Sequence, residues 1–416
     1  MAKVVITAVG SRGDTAPLIA IGTRLQDAGH DVTLSAMTIF EDLITGCGLR
    51  FVPHEVGTTT ADLSAFEEIE NPAKQLMEFM SPKGMRLAGE NLLIALKDEP
   101  ADVLLLSPFA ELAGHPLAEA RGIPSIGIRL QPMSTTGAFP PALMGTWSGG
   151  PAINRMAGRF GAGVIDRVYN NTVAHFRAQL GLPKVSARTL RRRRTEAGWP
   201  ILHGFSPTVV PRPDDWRPGI DVTGYWWPPR PLNWEPPAEL ARFLDAGPPP
   251  MYIGFGSLPM PKAEAERVSA LVALALHKAG VRGIVQAGWA NLDVATDDVI
   301  TIGEVPHDWL FDRVGAVAHA CGAGTTGAGL RAGVPAVAIP YAGDQAFWAR
   351  RLDMLGASAA TVPFKKLTVD GLAAAITTAM TDADLRANAK AVAAKLAEED
   401  GPGQVLRVVD RVTSTR

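Results

Sequence analysis

Short apolar runs alternate with amphipathic stretches through the first 130 residues. "KVVITAV" (3–9), "DVTLSA" (31–36), "LRFVP" (49–53), "DVLLLS" (102–107) and "PSIGIRL" (124–130) read as buried strands. Between the first two, "APLIAIGTRLQDAG" (16–29) carries apolar residues at helical spacing and ends in a Gly stop. Strand, helix, strand repetition predicts a parallel sheet covered on both faces. A helix is expected across 153–181, then two strands, "PILHGFS" (200–206) and "IDVTGYW" (220–226). The stretch "WWPPRPLNWEPPAELARFLDAGPPP" (226–250) is so dense in proline that neither a sheet nor a helix is expected inside it. Alternation resumes with "MYIGFGS" (251–257), a helix over about 263–279, "VRGIVQAG" (281–288), "DVITIGEV" (298–305), "GAVAHA" (315–320) and "VPAVAIP" (334–340), closing with helices near 383–398 and 402–413.

The pattern predicts two α/β domains: one over 1–228, a linker over 229–250, a second over 251–396, and a C-terminal helix over 397–416 able to pack back on the first domain. The carboxyl ends of both sheets then line one cleft. Length agrees, since 416 residues exceed one ordinary core. A charge of −2 gives no electrostatic reason to expect nucleic acid as partner, and the "RRRR" run at 191–194 stands without interleaved aromatics, so it is read as a solvated helix end or loop. Two cysteines, Cys47 and Cys321, are too few for a disulfide framework. With no apolar run of membrane-spanning length and no leader pattern, the expected location is cytoplasmic, with at most peripheral membrane contact.

Two stretches carry chemistry. In "ACGAGTT" (320–326) a strand gives way to a helix. Gly322 and Gly324 let backbone approach a ligand around Ala323, and Thr325 and Thr326 add hydroxyls at a positive helix end. That is a cradle for a diphosphate, or a tight turn with Thr caps. Asp344 and Gln345 follow the next strand and suit the hydroxyls of a sugar, or a helix cap. In "AVGSRGDTAPL" (8–18) an acid, Asp14, stands where a glycine turn otherwise welcomes anions. It either caps the helix or takes a proton.

Taken in order, these motifs resemble inverting family 1 glycosyltransferases of the GT-B architecture. They are most similar to the branch holding sterol 3β-glucosyltransferases and bacterial glycosyltransferases of antibiotic and glycolipid pathways. The resemblance covers nearly the whole chain, including "GFSPTVVPRPDDWRPGIDVTGYW" (204–226) and "VPHDWLF" (305–311). It implies Asp14 as general base and a nucleotide sugar, UDP- or TDP-linked, as co-substrate, with no cofactor and no metal. It implies donor contacts from Ser11, Arg12, Gly13, Ser257, Trp289, Val305, Cys321 through Thr326, Asp344 and Gln345; Trp309 is a rival for the base-stacking place of Trp289. A lipophilic alcohol (sterol, polyketide, macrolide or glycolipid) is expected against Phe109, His115, Met133, Phe139, Met144 and Trp147.

One position departs from the family pattern. The His that directly precedes "CGAGTT" in relatives is Ala320 here, and His319, one residue earlier, should point to the opposite face of its strand. A non-catalytic homologue that binds a nucleotide sugar or assists a partner transferase is therefore the alternative. A nicotinamide oxidoreductase fits poorly, because the first turn is G-x-x-G-D and no ribose-binding acid ends "DVTLSAM". A sugar-nucleotide epimerase would need neither the Asp14 loop nor an apolar groove.

Overall fold

The computed structural model describes residues 1–55, 77–231, 233–294 and 296–414; within the expected linker and terminal helix, Leu232, Thr415 and Arg416 lie outside the described residues. Thirteen strands are described: β1 (Lys3–Thr7), β2 (Asp31–Ala36), β3 (Arg50–Pro53), β4 (Val103–Leu106), β5 (Ser125–Arg129), β6 (Ile201–His203), β7 (Ile220–Val222), β8 (Met251–Gly254), β9 (Gly283–Gln286), β10 (Val299–Ile302), β11 (Ala316–His319), β12 (Ala336–Ala338) and β13 (Ser358–Thr361). They form two sheets in the orders β3-β2-β1-β4-β5-β6-β7 and β10-β9-β8-β11-β12-β13, with every pairing parallel.

The first sheet shows why its strands read as unbroken apolar runs. Val4, Ile6, Val103 and Leu105 pack to one side with Leu18, Ile21 and Leu25 of the helix Arg12–Asp27. The alternate residues Val5, Leu104 and Leu106 pack to the other with Leu92, Leu117 and Phe176. Both faces are buried, as parallel sheets require. In each sheet the order reverses beside the first strand, between β1 and β4 and between β8 and β11. Crevices form at such switch points, outside the carboxyl ends of the strands.

Two expectations change. The first helix begins at Arg12, four residues earlier than its apolar periodicity suggests, because Ser11 is its N-cap and Asp14 completes its first turn. The proline-dense stretch contains a helix after all, Ala238–Asp245. Pro237 stands at its N-cap, the helix itself has no proline, and Leu240, Phe243 and Leu244 provide an apolar face.

The last helix, Gly401–Ser414, leaves the second sheet and lays Val405 and Val409 into the core of the first domain. On the way the Glu399 carboxylate accepts from Ser206 Oγ (2.5 Å) and Thr208 Oγ1 (3.3 Å). A Cβ on Gly401 would lie 2.5 Å from the Tyr225 carbonyl oxygen, so the two segments that pass between the domains touch there. Among the described residues no helix is long and apolar enough to cross a membrane.

Candidate active site

The loops after β1 and β5 face those after β10, β11 and β12 across the gap between the sheets. Several contacts bind the two walls. Arg12 pairs with Glu304 (2.5 Å) and the Phe139 ring meets Phe347 edge-on at 5.3 Å, while Arg230 ties the linker to Asp308 (2.6 Å).

Asp14 lies in the first turn of its helix, where a negative charge also complements the helix dipole. Its Oδ2 accepts from the Ser11 N–H (2.8 Å) and the Ser11 hydroxyl (2.9 Å). Oδ2 is thus anchored within its own turn, so Asp14 does cap its helix. Burial raises the Asp14 pKa above its ordinary 3.8. The two Ser11 hydrogen bonds oppose that rise, the charge of Asp344 on the far wall adds to it, and the Gln131 side chain opposes it. Gln131 follows β5, and sequence reasoning passed over it. Gly10 was passed over too. Its φ of +141° is a glycine conformation, and a Cβ there would stand 2.4 Å from Asp14 Oδ2.

The facing wall is built on β11. His319 ends the strand, Cys321 takes a left-handed φ of +62°, and Gly322 caps the helix Ala323–Ala332. Within the helix, the first N–H to find a carbonyl is that of Thr326, bonded to Gly322 O (2.9 Å). The amides of Ala323, Gly324 and Thr325 are therefore spare for an anion. A Cβ on Gly322 or Gly324 would meet nothing within 4 Å, so both open on free space. Thr326 is fully buried and its hydroxyl has no partner, so it belongs to the packing beneath the cradle.

His319 does not reach into that cradle. Its Nδ1 accepts from the Cys321 N–H (3.0 Å), its ring is buried, and its Nε2 has no partner. Burial, with His307 nearby, lowers its pKa to about 3. A neutral imidazole braces the turn, and Ala320 beside it is buried among apolar side chains. Asp344 caps the helix Gln345–Met354; its Oδ2 accepts from Trp348 Nε1–H (2.7 Å), and burial raises its pKa. Gln345 Oε1 accepts from the N–H groups of Tyr341 (2.7 Å) and Ala342 (3.0 Å), which fixes the turn.

The remaining sequence-derived residues divide. Gly13 is exposed and Ser257 half-buried, both at the gap; Trp289 N–H bonds the Gly256 carbonyl (3.0 Å), beside Ser257. Val305 is buried in the core with Leu310 and Phe311. Trp309 packs on Trp234 at 5.4 Å and under Arg313 at 4.5 Å, so its faces are taken. Met133, Met144 and Trp147 are exposed on the first wall.

Four residues have other work than expected. Ser11 spends both donors on Asp14 rather than on a donor substrate. Phe139 is buried as a wedge between domains, with Arg351 also over its ring, and is not an open groove. Phe109 stacks edge-on with Phe79 at 5.3 Å within the first domain. His115 meets Trp199 at 4.5 Å and Ser125 Oγ at 3.4 Å, where β5 begins. That is the amino end of the sheet, away from the gap, and burial holds its pKa near 4.

Comparison with known proteins bears on the family and the fold. Residues 4–91 match the glycosyltransferase family 28 N-terminal domain, and residues 284–412 match the erythromycin biosynthesis protein CIII-like C-terminal domain. The chain is 33% identical over 420 residues to a sterol 3-beta-glucosyltransferase of Arabidopsis thaliana, covering 96% of this chain and 64% of that one. A sterol 3-beta-glucosyltransferase of Debaryomyces hansenii is 31% identical over 428 residues, 97% of this chain and 26% of its own length. The chain thus spans under two thirds of either relative. Among solved structures, the glycosyltransferase of kitacinnamycin superposes with a TM-score of 0.70 at 18% identity, covering 99% of this chain and 98% of that chain. Spinosyn forosaminyltransferase gives 0.71 at 14% identity, covering 99% of each. At such identities the likeness concerns the fold.

Proposed function

We propose, from the premise that this chain belongs to the glycosyltransferases of the GT-B fold, that it moves a hexose from a UDP- or TDP-sugar to a hydroxyl of a lipophilic acceptor with inversion. The observation that carries this reading is the opposition of a half-buried carboxylate, Asp14, to a helix end with three spare amides. An acceptor hydroxyl between them loses its proton to Asp14 Oδ1 as its oxygen attacks the anomeric carbon. The bond to the diphosphate breaks on the opposite side, and its charge settles on the amides of Ala323, Gly324 and Thr325, with Ser257 and the Thr325 hydroxyl as further donors. A carboxylate held above its ordinary pKa is the better base for that proton.

Since Asp344 Oδ2 and Gln345 Oε1 serve their own turn, the sugar is held by Asp344 Oδ1 and Gln345 Nε2, which suits a fully hydroxylated hexose such as glucose. The sterol glucosyltransferase relatives support a sterol-like alcohol, and the exposed Met133, Met144 and Trp147 supply apolar surface for it. No cofactor and no metal take part in this scheme, because helix amides carry the charge.

The test is an assay of the purified chain with UDP-glucose and TDP-glucose against a panel of sterols and macrolactones, products being read by mass spectrometry. A β-glycoside is expected, with Asp14→Asn lowering its rate by about 10²–10⁴ while nucleotide affinity stays constant. Ala320 supports the second reading, a nucleotide-sugar-binding homologue without activity. Nucleotide binding with no transfer from any donor, unchanged by Asp14→Asn, would favour that reading and reject the first.

A further inference from the structure

The helix Pro151–Gln179 carries a face that the described elements packed on it do not cover. Its inner residues Thr172, Val173, Phe176 and Arg177 are buried. On one flank Tyr169 O–H donates to the Met80 carbonyl (2.6 Å) and Thr172 Oγ1 to that of Pro82 (3.3 Å), which seats the helix Pro82–Ala95. On the other, Asp166 binds Arg191 (2.7 Å) and Asn170 Oδ1 accepts from the Ala187 N–H (3.1 Å), which seats the helix Ala187–Glu196. What remains points outward. It holds Ile153, Met156, Phe160, Val164 and Val168, at steps of three and four, with Ile165 beside them. Phe160 is 69% exposed and Met156 65%. At about 100° per residue these side chains share one sector, forming an apolar ridge about 22 Å long. Unbroken ridges of that kind on a folded surface mark an interaction site.

Charge supplies an independent observation. Arg159 and Arg167 of this helix are exposed, as are Arg188, Arg192 and Arg193 of the flanking helix. Among the described residues the acids beside it are paired: Asp166 with Arg191, Glu119 with Arg177, and Glu196 3.5 Å from Arg192. This surface is strongly basic in a chain of net charge −2. Arg192 and Arg193 of the "RRRR" run, which sequence reasoning treated as a solvated helix end or loop, are part of it, whereas Arg194 turns inward over the Trp199 ring.

We propose that this face rests on a lipid bilayer bearing anionic headgroups, the apolar ridge entering the boundary between headgroups and acyl chains and the arginines meeting phosphates. An apolar stripe bordered by arginine on a helix of low overall hydrophobicity is the pattern of an interfacial helix. A second copy of the chain fits less well, because a two-fold pairing through the ridge brings the same arginines against each other. The inference stands whichever acceptor the active site takes.

The experiment sediments the purified chain with phosphatidylcholine vesicles, with and without phosphatidylglycerol. The full chain should pellet with the anionic vesicles, and less so as salt rises. F160E/V164E should lower that partition by roughly tenfold or more, with unfolding temperature and nucleotide affinity unchanged. R192E/R193E should weaken binding to anionic vesicles and leave neutral ones as they were. A chain that stays in the supernatant with both vesicles overturns the proposal, as does a double variant that pellets like the parent. A dimer by light scattering that F160E/V164E dissolves also overturns it, by giving the ridge to a second copy.

Discussion

Gly10 decides how Asp14 stands. Its Cα supports the Asp14 carboxylate at a distance no Cβ allows, and its φ of +141° excludes other residues. Gly10→Ala is therefore expected to displace the carboxylate and lower kcat by at least about tenfold, in line with the cost of small misplacements at a reacting centre. Nucleotide affinity, governed by the other wall, should hold; titration calorimetry beside steady-state rates separates the two. Asp14 itself was legible in the sequence because an acid is out of place in an anion-friendly turn. Gly10 and Gln131 were not, because what selects them is contact with Asp14, and such contacts exist only once β1 and β5 are set into one sheet. His115 and Phe139 misled for the converse reason. Polarity and aromaticity are visible in a chain, whereas the end of the sheet on which a side chain emerges is not.

The pair formed by the loop at Phe139 and the helix Gln345–Met354 governs how the walls meet. Phe139 is buried against Phe347, with Arg351 across its ring, and Phe205 reaches Trp348 at 5.7 Å from the same domain. Phe139→Ala removes a ring from this seam and should cost about 3 kcal/mol, the lower end for a buried phenylalanine. Urea unfolding should show a lower midpoint and, if the domains uncouple, a second transition. The periodicity that reveals helices and strands stops short at irregular loops, so residues 131–147 gave no hint of a wedge. The helix Ala238–Asp245 was hidden for a different reason: prolines on both sides masked eight residues that lack any.

For the whole molecule, buried neutral histidines set the acid limit. His54, His115 and His307 are held near pKa 4, and His203 and His319 near 3, each mainly by burial. An unfolded chain protonates these groups around 6.5, and the folded one does so only below 4. Stability they contribute is thus whole above 6.5 and drains as pH falls toward 4. The urea midpoint should drop steadily between pH 6.5 and 4.5, and a flat profile there would contradict the burial of these rings. The two-domain plan was the most legible property at this scale, since alternation repeats on either side of the prolines. The joining of the domains was not, because it depends on where the last helix lands.

That landing has a mechanical consequence. The backbone passes from one lobe to the other at Gly224–Tyr225 and again at Glu399–Gly401, and the two passages lie against each other. A pair of adjoining straps works like a door pin: it permits swinging about one line and resists sliding or twisting. Opening then grows with distance from that line, and bulky guests find their room at the far rim.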